Sequence, residues 1–271
     1  MRNQWGQLGV SAHGRRTRRS RGVGCAAGRA GAFTLIDVLV SLAVIGVLIA
    51  ILLPSIARVR ESAQRVVCGS NLRQIGLGIN MYAEDSADYL PSSVFLPQKA
   101  RNSRSSGEGS PQDMDIVRTE PNLYARRPLG DWDGLGLLYA REYLPAAKLF
   151  YCPSHSGNHD FNVYEESWAE DAGEIVSNYQ YRGTGPNGMR RLMLINSSAA
   201  IVSDMLRSYD DLNHEGGFNV LMAGLSVQWV NDAGDEIASM LLRSDGDSNA
   251  PGTNQIADLW DRLDGPDAKI D

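Results

Sequence analysis

Histidine and cysteine are scarce in this sequence, with four of the first and three of the second among 271 residues. Only His155, His159 and His214 lie beyond residue 32. There is no G-x-S-x-G elbow, no phosphate-binding P-loop and no dinucleotide fingerprint, so no Ser-His-Asp set, enzyme activity or cofactor is expected. No internal repeat and no second domain are visible. Acids are missing from the first 32 residues, which hold seven arginines. Basic residues are short in the remainder, where 19 face 32 acids for a net charge of −13. Such a surface excludes nucleic acid as a partner, because phosphate binding relies on clustered Lys and Arg.

One long hydrophobic run is present. Residues 33–53 read FTLIDVLVSLAVIGVLIAILL, 21 residues with Asp37 as the one ionisable group and Pro54 directly after. A helix of that length covers roughly 31 Å, enough for a bilayer core of about 30 Å. A charged side chain near the end of a membrane span is costly and rare, and so points to function. Six arginines lie within about 20 residues before the run and four after it (Arg58, Arg60, Arg65, Arg73), a modest bias that leaves the N-terminal side cytoplasmic. A secretory signal peptide would need a shorter apolar core and a small-x-small cleavage site beyond it. An uncleaved signal anchor fits the length but gives no reason for Asp37.

Ala32-Phe-Thr-Leu-Ile-Asp37 and the apolar run resemble the prepilin-type signal of type IV pilins and type II secretion pseudopilins. In that family a small residue, usually Gly, precedes Phe-Thr-Leu-Ile-Glu. The resemblance implies cleavage by a prepilin peptidase before Phe33 and N-methylation of the new amine. Cutting between Ala32 and Phe33 makes Asp37 the fifth mature residue and Pro54 the twenty-second, both hallmark positions of the family. Cutting after Gly31 keeps the usual Gly but shifts both by one. The first register is preferred. Ala for Gly and Asp for Glu are departures from the family pattern.

The resemblance also implies an α+β pilin-like fold, a long N-terminal helix packed on a small antiparallel sheet. Residues 1–32 are then a cleaved basic leader and 33–53 the transmembrane half of the stem helix. Residues 54–86 form its amphipathic half and 87–271 an extracytoplasmic globular domain. Ile56, Val59, Ala63 and Val66 form one helical stripe, and Cys68, Leu72, Ile75, Ile79 and Tyr82 a second, offset near Gly69. Both are expected to lie on the domain, with the four arginines opposite. Residues 98–122, polar and without periodicity, read as a mobile surface loop. A short helix is expected over 134–143 and a final amphipathic helix around Ile256, Leu259, Trp260 and Leu263. Strand-like runs cover 177–182, 192–204, 218–223 and 226–230, the last two a hairpin.

With Cys25 in the leader, Cys68 and Cys152 remain in an oxidising compartment, where they are either a disulfide or two buried thiols. Residues 214–227, with 68–76, 82–85 and 150–154, resemble a large prepilin-type group. Its ending runs from a His through Gly and Asn to Asp-Gly-Ser-Val. Here Gly224-Leu225 stands where that group has Asp-Gly. His214 and Asn219 are read as turn-fixing hydrogen-bond partners. Cys152, His155 and His159 have spacing a zinc site could use, but no fourth ligand is apparent. Acidic turns at 231–236 and 244–249 offer oxygens of the kind calcium prefers without the EF-hand spacing. No metal is assigned to any of these.

The expected function is a pilin-like or pseudopilin structural subunit held in inner-membrane lipid, its C-terminal domain periplasmic. Its partners would be prepilin peptidase and other pilin or pseudopilin subunits. Asp37 would pair with the Phe33 amine of the next subunit, since a buried carboxylate needs an opposite charge. The alternative is a membrane-tethered extracytoplasmic binding module that uses the signal only for export and anchoring.

Overall fold

A computed structural model describes residues 34–95, 111–119, 131–204, 208–209, 212–241 and 253–265. The chain divides into two units, Met1–Ile51 and Leu52–Asp271. In the first, residues 35–51 are helical and exposed throughout. They belong to helix α1 (Leu35–Asp85), which contains Pro54. This helix is long and apolar enough to be a candidate membrane span.

The second unit is α+β. Short elements connect α1 to its sheet: β1 (Ile116–Arg118), α2 (Gly136–Ala140), α3 (Phe161–Glu170) and β2 (Ile175–Val176). A four-stranded antiparallel sheet follows, formed by β3 (Gln180–Tyr181), β4 (Ala200–Ser203), β5 (Gly217–Met222) and β6 (Val227–Asn231) in that spatial order. Helix α4 (Thr253–Leu263) completes the described elements.

Strand alternation sends side chains of β5 to opposite faces. Leu221 packs in one core with Cys68, Leu72, Ile75 and Ile79 of α1, all fully buried. Phe218, Val220 and Met222 pack in a second core with Ile256, Leu259, Trp260 and Leu263 of α4. Each fully buried Leu or Ile contributes ~1.5–3 kcal/mol, so the two apolar stripes clamp the sheet from both sides. At Gly76 α1 lies so close to β5 that a Cβ would stand 2.9 Å from Leu221 Cδ1.

The two stripes of α1 behave differently. The one from Cys68 to Tyr82 is buried as expected. The earlier one is not, because Ile56, Val59 and Val66 remain 52, 68 and 68% exposed. Fully buried positions of the helix begin at Cys68, although Glu61, Gln64 and Arg65, on a different face from that stripe, already touch the domain. A second correction concerns the loop expected over 98–122. Of its described part, Pro111–Asp115 is a 3-10 helix and Ile116–Arg118 is strand β1, paired with β2 and buried. The strand expected at 177–182 is shorter and split, with β2 before it and β3 inside it. In the 192–204 run only 200–203 is strand, preceded by a 3-10 turn at Leu192–Leu194.

Helix α3 adds to the expected elements. Asp160 caps it, accepting a hydrogen bond from Asn162 N at 2.8 Å. Trp168 anchors it, stacking on Phe150 with ring centroids 5.3 Å apart and donating from Nε1 to Tyr151 Oη at 2.9 Å.

Candidate functional site

Four side chains from distant parts of the sequence meet between α1 and the sheet. Cys68 comes from α1, and Cys152 from the turn after the 3-10 helix Ala147–Phe150. Asp204 directly follows β4, and His214 shortly precedes β5. All four are buried. Cys68 Sγ lies 3.1 Å from Asp204 Oδ2, and Cys152 Sγ 3.4 Å from His214 Nε2. His214 Nε2 is also 3.4 Å from Asp204 Oδ2. The two sulfurs and His214 Nε2 fall within 4.8 Å of one another.

A second ring of contacts fixes these groups. Glu61 stands seven residues before Cys68, two helical turns along the same face of α1. Its Oε1 accepts a hydrogen bond from His214 Nδ1 at 2.7 Å, which turns Nε2 toward the sulfurs. Ser154 Oγ donates to the other Glu61 oxygen at 3.2 Å. Asp204 accepts from Asn219 N and from Asn219 Nδ2, both at 2.9 Å. Asn219 Nδ2 also reaches the carbonyl of Arg65 on α1 at 3.3 Å. Trp229 of β6 meets the His214 ring edge-on at 5.9 Å and carries the Arg65 guanidinium 4.1 Å above its own face. Tyr179 Oη lies 3.4 Å from Cys68 Sγ.

Proton affinities are displaced accordingly. Burial pushes the Cys68 thiol well up, and Cys152 and Asp204 push it further. Burial opposes ionisation of Cys152 as well, but hydrogen bonds from Cys68 and His214 outweigh it and bring that thiol down to about 6. Burial alone would lower His214, yet its contacts with Asp204 and Cys152 raise it to about 10. Burial also raises the Tyr179 phenol well above its ordinary value. Ionisation is thus favoured at Cys152 and opposed at Cys68, and His214 is held toward its charged form.

The residues singled out in the sequence divide into several groups. Cys68 and Cys152 come together, and both are free thiols. His214 joins them. Asn219 sits inside β5 and anchors Asp204, while the 223–226 turn is closed by backbone bonds from Leu225 N to Met222 O and from Met222 N to Ser226 O, both 2.9 Å. His155 and His159 do not join Cys152: His155 Nδ1 pairs with Asn213 Oδ1 and His159 Nδ1 with Tyr164 Oη, both at 2.8 Å. In the acidic turn at 231–236, Asp232 spends its oxygens on Ile237 N at 3.0 Å and Ala238 N at 2.8 Å. The 244–249 turn, Ala32 and Phe33 lie outside the described residues.

Asp37 occupies the third position of α1 and forms a capping box with Thr34. Its Oδ2 accepts from Thr34 N at 3.0 Å and from Thr34 Oγ1 at 2.8 Å, while its own N donates to Thr34 Oγ1 at 3.2 Å. Sequence reasoning missed Asp204, Glu61 and Tyr179. Glu61 had a readable signal in its heptad spacing from Cys68; Asp204 and Tyr179 had none, because only the sheet brings them to α1.

Fold and site together define an α+β protein with a long N-terminal apolar helix, a candidate membrane span, whose distal half is packed on a small antiparallel sheet. Residues 57–191 match the model of a family described as a protein of unknown function (DUF1559), just under half of the chain. The matched segment contains Glu61, Cys68 and Cys152 and ends before Asp204 and His214. No curated protein and no solved structure gives a match.

Proposed function

We propose that this protein is a pilin-like structural subunit, anchored in the cytoplasmic membrane by residues 33–53 with its α+β domain outside. The observation that carries this reading is the division of α1. Residues 35–51 are apolar and wholly exposed, whereas the buried stripe begins only at Cys68. An apolar helix segment exposed to this extent calls for an apolar environment outside the chain. Lipid supplies one before assembly, and neighbouring stems supply one in a filament. Ile56, Val59 and Val66 extend the uncovered surface past the span, as helix-to-helix packing would use. The role is structural, with prepilin peptidase and other pilin or pseudopilin subunits as partners.

Mass spectrometry of the mature N-terminus tests the reading. The expected result is a chain beginning at N-methyl-Phe33. A chain that retains residues 1–32, or that is cut beyond residue 53, would remove prepilin processing and with it this proposal.

A further inference from the structure

We infer that Cys68, Cys152, Asp204 and His214 form a tetrahedral site for a divalent ion of the zinc class, with Glu61 as its positioning residue. The donor set matches the chemistry: two sulfurs, one imidazole nitrogen and one carboxylate oxygen are all ordinary zinc ligands. The spacing agrees along three of the six edges, with Cys68, Cys152 and His214 gathered within 4.8 Å and Asp204 Oδ2 next to Cys68 and His214. Metal–sulfur bonds of about 2.3 Å and metal–nitrogen or –oxygen bonds of about 2.0–2.2 Å imply tetrahedral edges of about 3.5 Å between S and N or O, and about 3.4 Å between N and O. The observed edges are 3.1 Å from Cys68 Sγ to Asp204 Oδ2, 3.4 Å from Cys152 Sγ to His214 Nε2 and 3.4 Å from His214 Nε2 to Asp204 Oδ2.

The surroundings are those of a metal site. A ligating histidine gives its other N–H to a carboxylate, which fixes the tautomer and raises the basicity of the ligating nitrogen. Glu61 takes that N–H from His214 at 2.7 Å. The ligating carboxylate is held in turn, here by Asn219 through its main chain and side chain. Charge points the same way. Three acidic groups and one base share a buried space, and among the described residues Asp204 has His214 as its ion-pair partner. A divalent cation would replace two protons, that of the Cys68 thiol and the one shared by Cys152 Sγ and His214 Nε2; both leave to solvent, and the ion takes two thiolates and the freed imidazole lone pair. A cleft of about 550 Å³, lined among others by Val67, Cys152, His155 and Phe161, reaches the site at Cys152 and would serve as the entry path an ion needs. The ion would join α1, the Cys152 turn and the two segments flanking β4 and β5. Both cysteines would then stay reduced in an oxidising compartment.

The test uses the full chain in detergent, in a Cys25→Ser background so that a third thiol contributes nothing. Reduced protein is titrated with Co²⁺ and then Zn²⁺. The expected results are one ion per chain, a tetrahedral cobalt spectrum with thiolate charge transfer, and displacement of that spectrum by Zn²⁺. Cys68→Ser should abolish tight binding, and Glu61→Gln should weaken Zn²⁺ affinity roughly 10- to 100-fold. Because Glu61 is partly exposed, its variant reports on the site even if changes at the buried ligands unfold the protein. Failure of the reduced protein to take up Co²⁺ tetrahedrally, or an affinity unchanged in Glu61→Gln, would overturn the inference. So would a Cys68–Cys152 disulfide in protein freshly isolated under acid quench.

Discussion

Thr34 and Asp37 satisfy each other's backbone donors at the start of α1, which gives the acid a local role beside the proposed intersubunit one. The cap needs a hydroxyl at 34 and an acceptor at 37; pairing with a neighbour's amine needs the negative charge. Two variants separate these demands. Thr34→Val removes the cap, at about 1 kcal/mol of helix stability, and keeps the charge. Asp37→Asn keeps an acceptor and removes the charge. If the charge sets filament register, Asp37→Asn loses co-assembly and Thr34→Val retains it, measured as the fraction of subunit recovered in sheared filaments. Loss in Thr34→Val with retention in Asp37→Asn would assign Asp37 to the cap alone. At this scale the rarity of Cys68, Cys152 and His214 draws attention to them but not to the site they share, since the sequence reads the cysteines as a disulfide or two thiols and His214 as a turn partner. The sequence is silent on Asp204, one acid among 32, whose meaning comes from Cys68 on α1 and from His214 and Asn219 beside β5.

Elements with a strong period were readable and those defined by their partners were not. The stripe from Cys68 to Tyr82 and the Ile256–Leu263 spacing both gave helices with a buried face, whereas the equally periodic Ile56, Val59 and Val66 stay exposed, since period predicts a helix but not which surface meets it. Helix α3 carries Phe161, Tyr164 and Trp168 at 3- and 4-residue spacing behind an Asp160 cap, so its signal was present beneath a polar stretch. Strands β1, β2 and β3 have only two or three residues each, too short for alternation to register. Docking of α4 shows how a buried pair completes what a stripe begins. Arg182 Nη1 lies 2.7 Å from Asp264 Oδ1, and both side chains are almost fully buried. The same oxygen accepts from Ala200 N of β4 at 2.9 Å. Asp264→Ala would leave Arg182, among the described residues, only the more distant Asp261, at 3.7 Å, as a carboxylate partner and leave that N–H unpaired. The expected loss is about 1.5–3 kcal/mol, read as a lower denaturation midpoint in urea with the slope unchanged. A change below about 1 kcal/mol would mean that α4 is held by Leu259, Trp260 and their apolar neighbours alone.

At the scale of the whole molecule, the stem separates a filament subunit from a tethered binding module. Both roles need residues 33–53 in lipid and a folded domain outside, so membrane fractionation cannot distinguish them. They differ in what meets the helix surface. A tether leaves every side of the span against acyl chains, whereas a filament places stems against one another in a fixed stagger. Single cysteines introduced along residues 39–52 in membranes should therefore cross-link in ladders if stems stack, strongest at positions that recur every three or four residues on one face. Cross-linking should also reach Ile56, Val59 and Val66, since these exposed apolar positions continue the same surface beyond the span. Replacing all three by Ser should shorten the ladders without releasing the protein from the membrane, because the residues lie outside the apolar run. Monomers at every position would favour the tether. Ladders without positional period would mean random collision in the bilayer, and filament assembly would lose its support.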